Sequence, residues 1–134
     1  MTYAQHQASN PLASVWVGAS AGTGKTKVLT DRVMRLLLDG VDPSKIVCLT
    51  FTKAAAAEMA NRISHKLGDW VLMEEAKLYH YLEQLTGARP DNDMMQRARN
   101  LFAVVMQLPE GLNIQTIHAF CQSLIKKFPL EAGV

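Results

Sequence analysis

Ala19-Ser20-Ala21-Gly22-Thr23-Gly24-Lys25-Thr26 places glycines, a lysine and hydroxyls within one short stretch. Glycine lets successive backbone N–H groups turn inward on an anion, because no β-carbon obstructs the conformations this requires. Lys25 adds a full positive charge, and Thr26 puts a hydroxyl where a phosphate-bound Mg²⁺ takes a ligand. An apolar run, Val15-Trp16-Val17, precedes the stretch and an amphipathic helical pattern follows it. That helix directs its unsatisfied N–H groups and positive dipole end at the same anion. A nucleoside triphosphate is the ligand this chemistry suits. The general pattern G-x-x-x-x-G-K-[ST] is met with one departure: its first position is Ala19, and a glycine stands one residue earlier at Gly18.

Two other stretches carry chemistry at strand ends. In Leu49-Thr50-Phe51-Thr52-Lys53, followed by four alanines and Glu58-Met59, an aromatic, threonines and a lysine fall where a strand gives way to a helix. In open α/β sheets ligands bind at the carboxyl edge, so Phe51 is a stacking platform for a base; on composition alone, a core phenylalanine is the stronger reading. Thr116-Ile117-His118 repeats the arrangement, with a hydroxyl and an imidazole at a helix start that suits a nucleic-acid phosphate. Val71-Leu72-Met73-Glu74-Glu75 mimics an apolar strand ending in a Mg²⁺-ordering acidic pair. It is set aside because Trp70, Met73, Lys77 and Tyr81 belong to a helix-forming stretch, which makes the glutamates a solvated helix face.

The elements that must position these residues follow from periodicity. Residues 2–11 read as a lead-in helix or loop, Val15–Val17 as a first strand, and Lys25 to Leu38 as the helix carrying the loop. Ile46 to Phe51, rich in apolar and β-branched residues, reads as a central parallel strand covered on both faces, completing a βαβ unit. A second helix is expected from Lys53 to Leu67, closed by Gly68, a third from Asp69 to Leu85, and a fourth from Asp91 to Leu108. Leu112 to Ile117 reads as a further strand, followed by a helix from about His118 to Phe128. The fold class is therefore α/β, with a helical insertion at about 69–108 between the second and third strands.

At 134 residues, 49% hydrophobic and 19% charged, the chain has the composition of one globular domain rather than of disorder. Its net charge of +2 neither requires nor excludes nucleic acid. Cys48 and Cys121 lack metal-ligand spacing and read as reduced, buried thiols. The N-terminus lacks the form of a secretory signal, and no apolar run reaches the length of a membrane span. A soluble, cytoplasmic protein without a membrane partner is expected.

Three blocks in order resemble superfamily 1A DNA helicases of the UvrD and RecB type: A-S-A-G-T-G-K-T, L-T-F-T-K-A-A-A-A-E-M-A-N-R and T-I-H-A-F-C-Q-S-L-I-K-K-F-P-L-E-A-G. The third most resembles AddA-type subunits of AddAB helicase–nucleases. The resemblance implies a P-loop, RecA-like parallel sheet flanked by helices, of which residues 1–134 would be the N-terminal part of the ATP-binding lobe. It implies Mg²⁺-ATP held by Ala19, Ser20, Ala21, Gly22, Thr23 and Gly24, with Lys25 on the β and γ phosphates and Thr26 on the metal. Gln5 resembles the glutamine that reads adenine, with Gln7 as a rival, and Lys27 stands where relatives carry an arginine beside the base. Phe51, Thr52, Lys53, Thr116 and His118 are similar to contacts with single-stranded DNA.

The implied function is the ATP-binding portion of a DNA helicase or translocase in double-strand-break repair and recombination, acting on single- and double-stranded DNA. A downstream exonuclease domain and an AddB-like partner subunit go with that resemblance. The acidic Mg²⁺-ordering pair, the arginine fingers and a second RecA-like domain are expected outside these residues, so the chain reads as a fragment inactive by itself. The competing reading is a small P-loop kinase or other nucleotide-binding protein that never meets DNA.

Overall fold

The structure is a computed structural model that describes residues 2–18, 20 and 24–133. Its elements are α1 (Tyr3–Ala8), α2 (Lys25–Leu38), a 3-10 turn (Pro43–Lys45), β1 (Val47–Thr50), α3 (Lys53–Leu72), α4 (Glu75–Thr86), α5 (Asn92–Met106), β2 (Asn113–Thr116) and α6 (Ile117–Lys127). Among the described residues the architecture is α/β, with a two-stranded parallel sheet in which Val47 faces Asn113 and Thr50 faces Thr116.

The expected first strand is not formed. Val15, Trp16 and Val17 run without regular structure, and Trp16 is 94% exposed. A strand exists through its ladder, and the two-stranded sheet is closed between β1 and β2 without these residues. For the same reason β1 is not covered on both faces: Val47 and Leu49 are exposed while Cys48 between them is half-buried. The βαβ unit expected around α2 is thus replaced by a parallel β1–β2 crossover that travels through α3, α4 and α5.

Helix boundaries move where packing outweighs local signals. α3 passes through Gly68 to Leu72, because Ile63, Leu67 and Trp70 bury its inner face on both sides of the glycine. The break comes instead at Met73, whose ψ of 138° leaves the helical region. Glu74 and Glu75 therefore begin α4 rather than lying along a continuous helix, and both are exposed. The last helix starts one residue earlier than its expected position, with Thr116 as its cap.

The core lies among the helices. Met34, Leu37 and Leu38 of α2 meet Ile63, Leu67 and Trp70 of α3, Leu78, Leu82 and Leu85 of α4, and Ala98, Leu101 and Val105 of α5. The stretch 69–108 is thus the wall against which α2 and α3 are packed. Guanidinium groups close two helix ends, where unpaired carbonyls and the negative dipole end favour cations. Arg97 donates to the Leu38 carbonyl at 2.6 Å and Arg99 to the Trp70 carbonyl at 2.6 Å. Cys48 is half-buried, and burial pushes its thiol pKa up, whereas Cys121 is exposed, contrary to expectation. No helix among the described residues is long and apolar enough to cross a membrane.

Candidate nucleotide site and nucleic-acid edge

Gly24 caps α2 with φ 84°, a left-handed conformation that glycine adopts without strain, and Lys25 and Thr26 are the first residues of the helix. No acidic residue occupies that first turn, so nothing there opposes a bound anion. Lys25 and Thr26 are exposed, as is Ser20. The candidate cradle residues Ala19, Ala21, Gly22 and Thr23 lie outside the described residues. Lys25 also lines a cavity of about 310 Å³ with Ala8, Val15, Val17, Val28, Leu29 and Arg32, between the lead-in and α2.

Gln5 reaches this site from the other end of the lead-in. Its Nε2 stands 3.2 Å from the position a β-carbon on Gly24 would take, so the glycine leaves room that the amide faces. The rotamer is fixed by a capping box: Gln5 N–H donates to Thr2 Oγ1 at 3.2 Å, and Thr2 N–H donates to Gln5 Oε1 at 3.0 Å. An amide oxygen has a second lone pair, so both ends of the Gln5 amide still have capacity for a purine edge. Gln7 is exposed and donates to the Tyr3 hydroxyl at 2.7 Å, away from Gly24. Of the two glutamines, Gln5 is the one that stands beside Gly24.

Lys27 is engaged elsewhere. Its ammonium donates to the Asp31 carboxylate at 2.6 Å, and Lys66 of α3 donates to the other oxygen at 2.8 Å. Asp31 is 1% exposed, so the pair of cations satisfies a buried charge that would otherwise be costly. Desolvation pulls the Lys66 pKa down, but the hydrogen bond to Asp31 and the neighbouring Tyr81 outweigh it and leave the value raised. This triad ties the loop helix to the helix that follows β1.

Sequence reasoning missed a second set of contacts. Arg32 donates to the carbonyls of Ala8 at 3.2 Å, Asn10 at 2.7 Å and Ala13. Arg35 donates to the His6 carbonyl at 3.2 Å and to Ser9 Oγ at 3.0 Å, and burial lowers its pKa. The available signal was Arg35 lying seven residues after Val28, on the buried stripe, where a guanidinium needs acceptors. His6 packs its buried Nε2 near Gly87, without a hydrogen-bond partner among the described residues.

The other candidate residues come together at the carboxyl edge of the sheet. Thr50 and Thr116 are register partners, so β1 and β2 end side by side; β2 turns directly into α6, and β1 reaches α3 after Phe51 and Thr52. Thr52 Oγ1 accepts from Ala55 N–H and Thr116 Oγ1 from Ala119 N–H, both at 3.1 Å. Those hydroxyls are N-caps that aim two helix starts toward the same edge. Phe51 is 86% exposed and is not core, and Lys53 and His118 are exposed as well. Among the described residues no group of His, Cys, Asp and Glu could hold a metal ion by itself.

The profile of the UvrD/REP helicase N-terminal domain matches residues 1–133. An ATP-dependent helicase/nuclease subunit of Lactobacillus gasseri is 37% identical over 128 residues, covering 95% of this chain and 9% of that protein. A protein of the same name from Levilactobacillus brevis is 38% identical over 126 residues, covering 92% of this chain and 8% of that protein. The chain thus spans about a tenth of the length of the curated relatives it matches. No solved structure matches it at a comparable level.

Proposed function

This chain belongs to the UvrD/REP helicase N-terminal domain family, and from that premise we propose that it is the ATP-binding portion of an ATP-dependent DNA helicase or translocase serving double-strand-break repair and recombination. The observation that carries this reading is the meeting of Gln5 with Gly24 at the start of α2. Lys25 supplies the charge that holds the terminal phosphates, the first N–H groups of α2 surround them, and Gln5 reads the adenine edge. Ser20 and Gly24, with Ala19, Ala21, Gly22 and Thr23, complete the cradle. Thr26 would hold a Mg²⁺ ion, which when bound neutralises charge on the phosphates. The cradle fits: the first turn of α2 carries Lys25 and no acidic side chain, which suits a polyphosphate.

Single-stranded DNA would lie along the carboxyl edge of β1 and β2. Phe51 offers a ring for base stacking, while Lys53, His118 and the starts of α3 and α6 face phosphates. That juxtaposition favours a helicase over a kinase that never meets DNA. We read the bare apolar residues Val47, Leu49, Val15 and Val17 as surface that a larger RecA-like sheet covers. Residues 1–134 would be the N-terminal part of the first lobe, with stretch 69–108 as its helical insertion. A nuclease domain and a partner subunit follow only from what the relatives are named.

Phosphoryl transfer depends on positioning and electrostatic stabilisation, and an arginine finger alone is worth on the order of 10³–10⁵ in rate. Glu74 and Glu75, exposed at a helix start, are poor candidates to orient water. Phosphate release by the 134-residue chain should therefore stay at background with saturating single-stranded DNA. In a longer protein carrying it, DNA should stimulate turnover. Robust turnover by the chain alone, abolished by Lys25→Ala, would overturn the fragment reading; DNA-independent turnover in the longer protein would overturn the helicase reading.

A further inference from the structure

α1 raises a problem of mechanics. It has six residues and buries none of them, whereas isolated helices shorter than about 12 residues are marginal in water. Yet it must hold the Gln5 amide against Gly24 with a precision of tenths of an ångström if that amide is to read a base. Apolar packing of α1 itself does not supply the hold.

The hold comes from α2. Arg32 gathers the carbonyls of Ala8, Asn10 and Ala13, and Arg35 takes the carbonyl of His6. Ser9, fully buried, donates its hydroxyl to the same His6 carbonyl at 3.0 Å and accepts from Arg35 at 3.0 Å. Carbonyls at the end of α1 have no intrahelical donors, so guanidinium groups satisfy both their hydrogen-bonding need and the local dipole. The fork geometry matters, because one rigid planar group spans separated acceptors, whereas the three donors of a lysine ammonium radiate from a single atom on a flexible stem. Arg32 and Arg35 also stand on the helix whose first residues are Lys25 and Thr26. One rigid rod therefore carries both the phosphate end of the site and the clamp for its base end.

We propose that Arg32 and Arg35 are positioning residues for adenine selection, fixing the lead-in on α2 so that Gln5 stays over Gly24. This rests on the reading of Gln5 given above. The role is separable from phosphate binding, since the acceptors of both guanidiniums lie in residues 6–13 while Lys25 stands at the start of α2. Loss of the clamp should cost base recognition and leave polyphosphate binding intact, which a general loss of stability would not do.

The test follows the side-chain amide of Gln5 by ¹H–¹⁵N NMR, which reads weak binding, during titration with Mg²⁺-ATP, Mg²⁺-GTP and Mg²⁺-tripolyphosphate. Gln5→Ala, followed by backbone amides of α2, should lower ATP affinity about tenfold, roughly the worth of two neutral hydrogen bonds, without changing that for tripolyphosphate. Arg32→Lys should do the same, shrink the ATP-to-GTP preference, and add nothing further in the Gln5→Ala background. If Arg32→Lys lowers the melting midpoint, Ser9→Ala repeats the comparison with only a hydroxyl removed. Equal losses for ATP and tripolyphosphate, or additive losses with Gln5→Ala, would overturn the proposal. A Gln5→Ala chain that keeps the full preference for ATP would strike the adenine reading itself, a different failure from an Arg32→Lys chain that keeps it while Gln5→Ala does not.

Discussion

Phe51 leaves the sheet at its carboxyl edge with 86% of its surface in solvent, so truncating it removes little packing. Phe51→Ala should leave the melting midpoint within error while weakening single-stranded DNA binding by about 1–3 kcal/mol, the usual worth of one base–aromatic stack. Anisotropy on a labelled oligonucleotide in a longer protein carrying this chain checks the second half. A variant that melts early and binds DNA normally would return Phe51 to the core. At this scale the sequence was informative where chemistry needs a residue type at a fixed spacing, as with Gly24, Lys25 and Thr26. It named Gln5 with Gln7 as a rival, and which of the two lies beside Gly24 is a tertiary matter that spacing alone does not carry. Lys27 shows the converse: its position suggests a place beside a base, and its ammonium is instead held by Asp31.

The helices were readable from apolar spacing, yet their ends were not. Gly68 is a stop signal by propensity, but the cost of a mid-helix glycine, about 1 kcal/mol, is smaller than the gain from burying Leu67 and Trp70 around it. Gly68→Ala should accordingly raise stability by about 0.5–1 kcal/mol in urea unfolding, since the new methyl would meet Phe102 at 3.7 Å, an ordinary contact. A loss of stability would mean that the α3–α5 contact tolerates no added atom there. The α2–α3 join makes a pH-dependent expectation. The folded Lys66 pKa is raised above 10.5, so its stabilising contribution is complete below that value and is lost as pH rises through the folded pKa. Lys66→Met should flatten the fall in melting midpoint above about pH 10.5; an unchanged alkaline limb would show that the Asp31 contact contributes nothing.

Taken whole, the molecule divides its tasks between two regions. Among the described residues α2 to α5 supply most of the core, while the β1–β2 sheet leaves Val47 and Leu49 bare and does not include Val15–Val17. Sheet pairing is a long-range property, so no local pattern in Val15-Trp16-Val17 could show whether partners are present. The α/β class and the convergence of both candidate DNA stretches were readable, since each ends a strand and parallel strands share a carboxyl edge. The most direct test is a calorimetric titration of Mg²⁺-ATP into this chain and into Lys25→Ala at equal melting midpoints. Lys25 is the one full charge of the loop stretch in a site otherwise built of N–H dipoles and hydroxyls, so the wild-type chain should give a saturable, if weak, isotherm and Lys25→Ala none. Equal affinity in the two proteins would contradict the assignment of this loop as the nucleotide site.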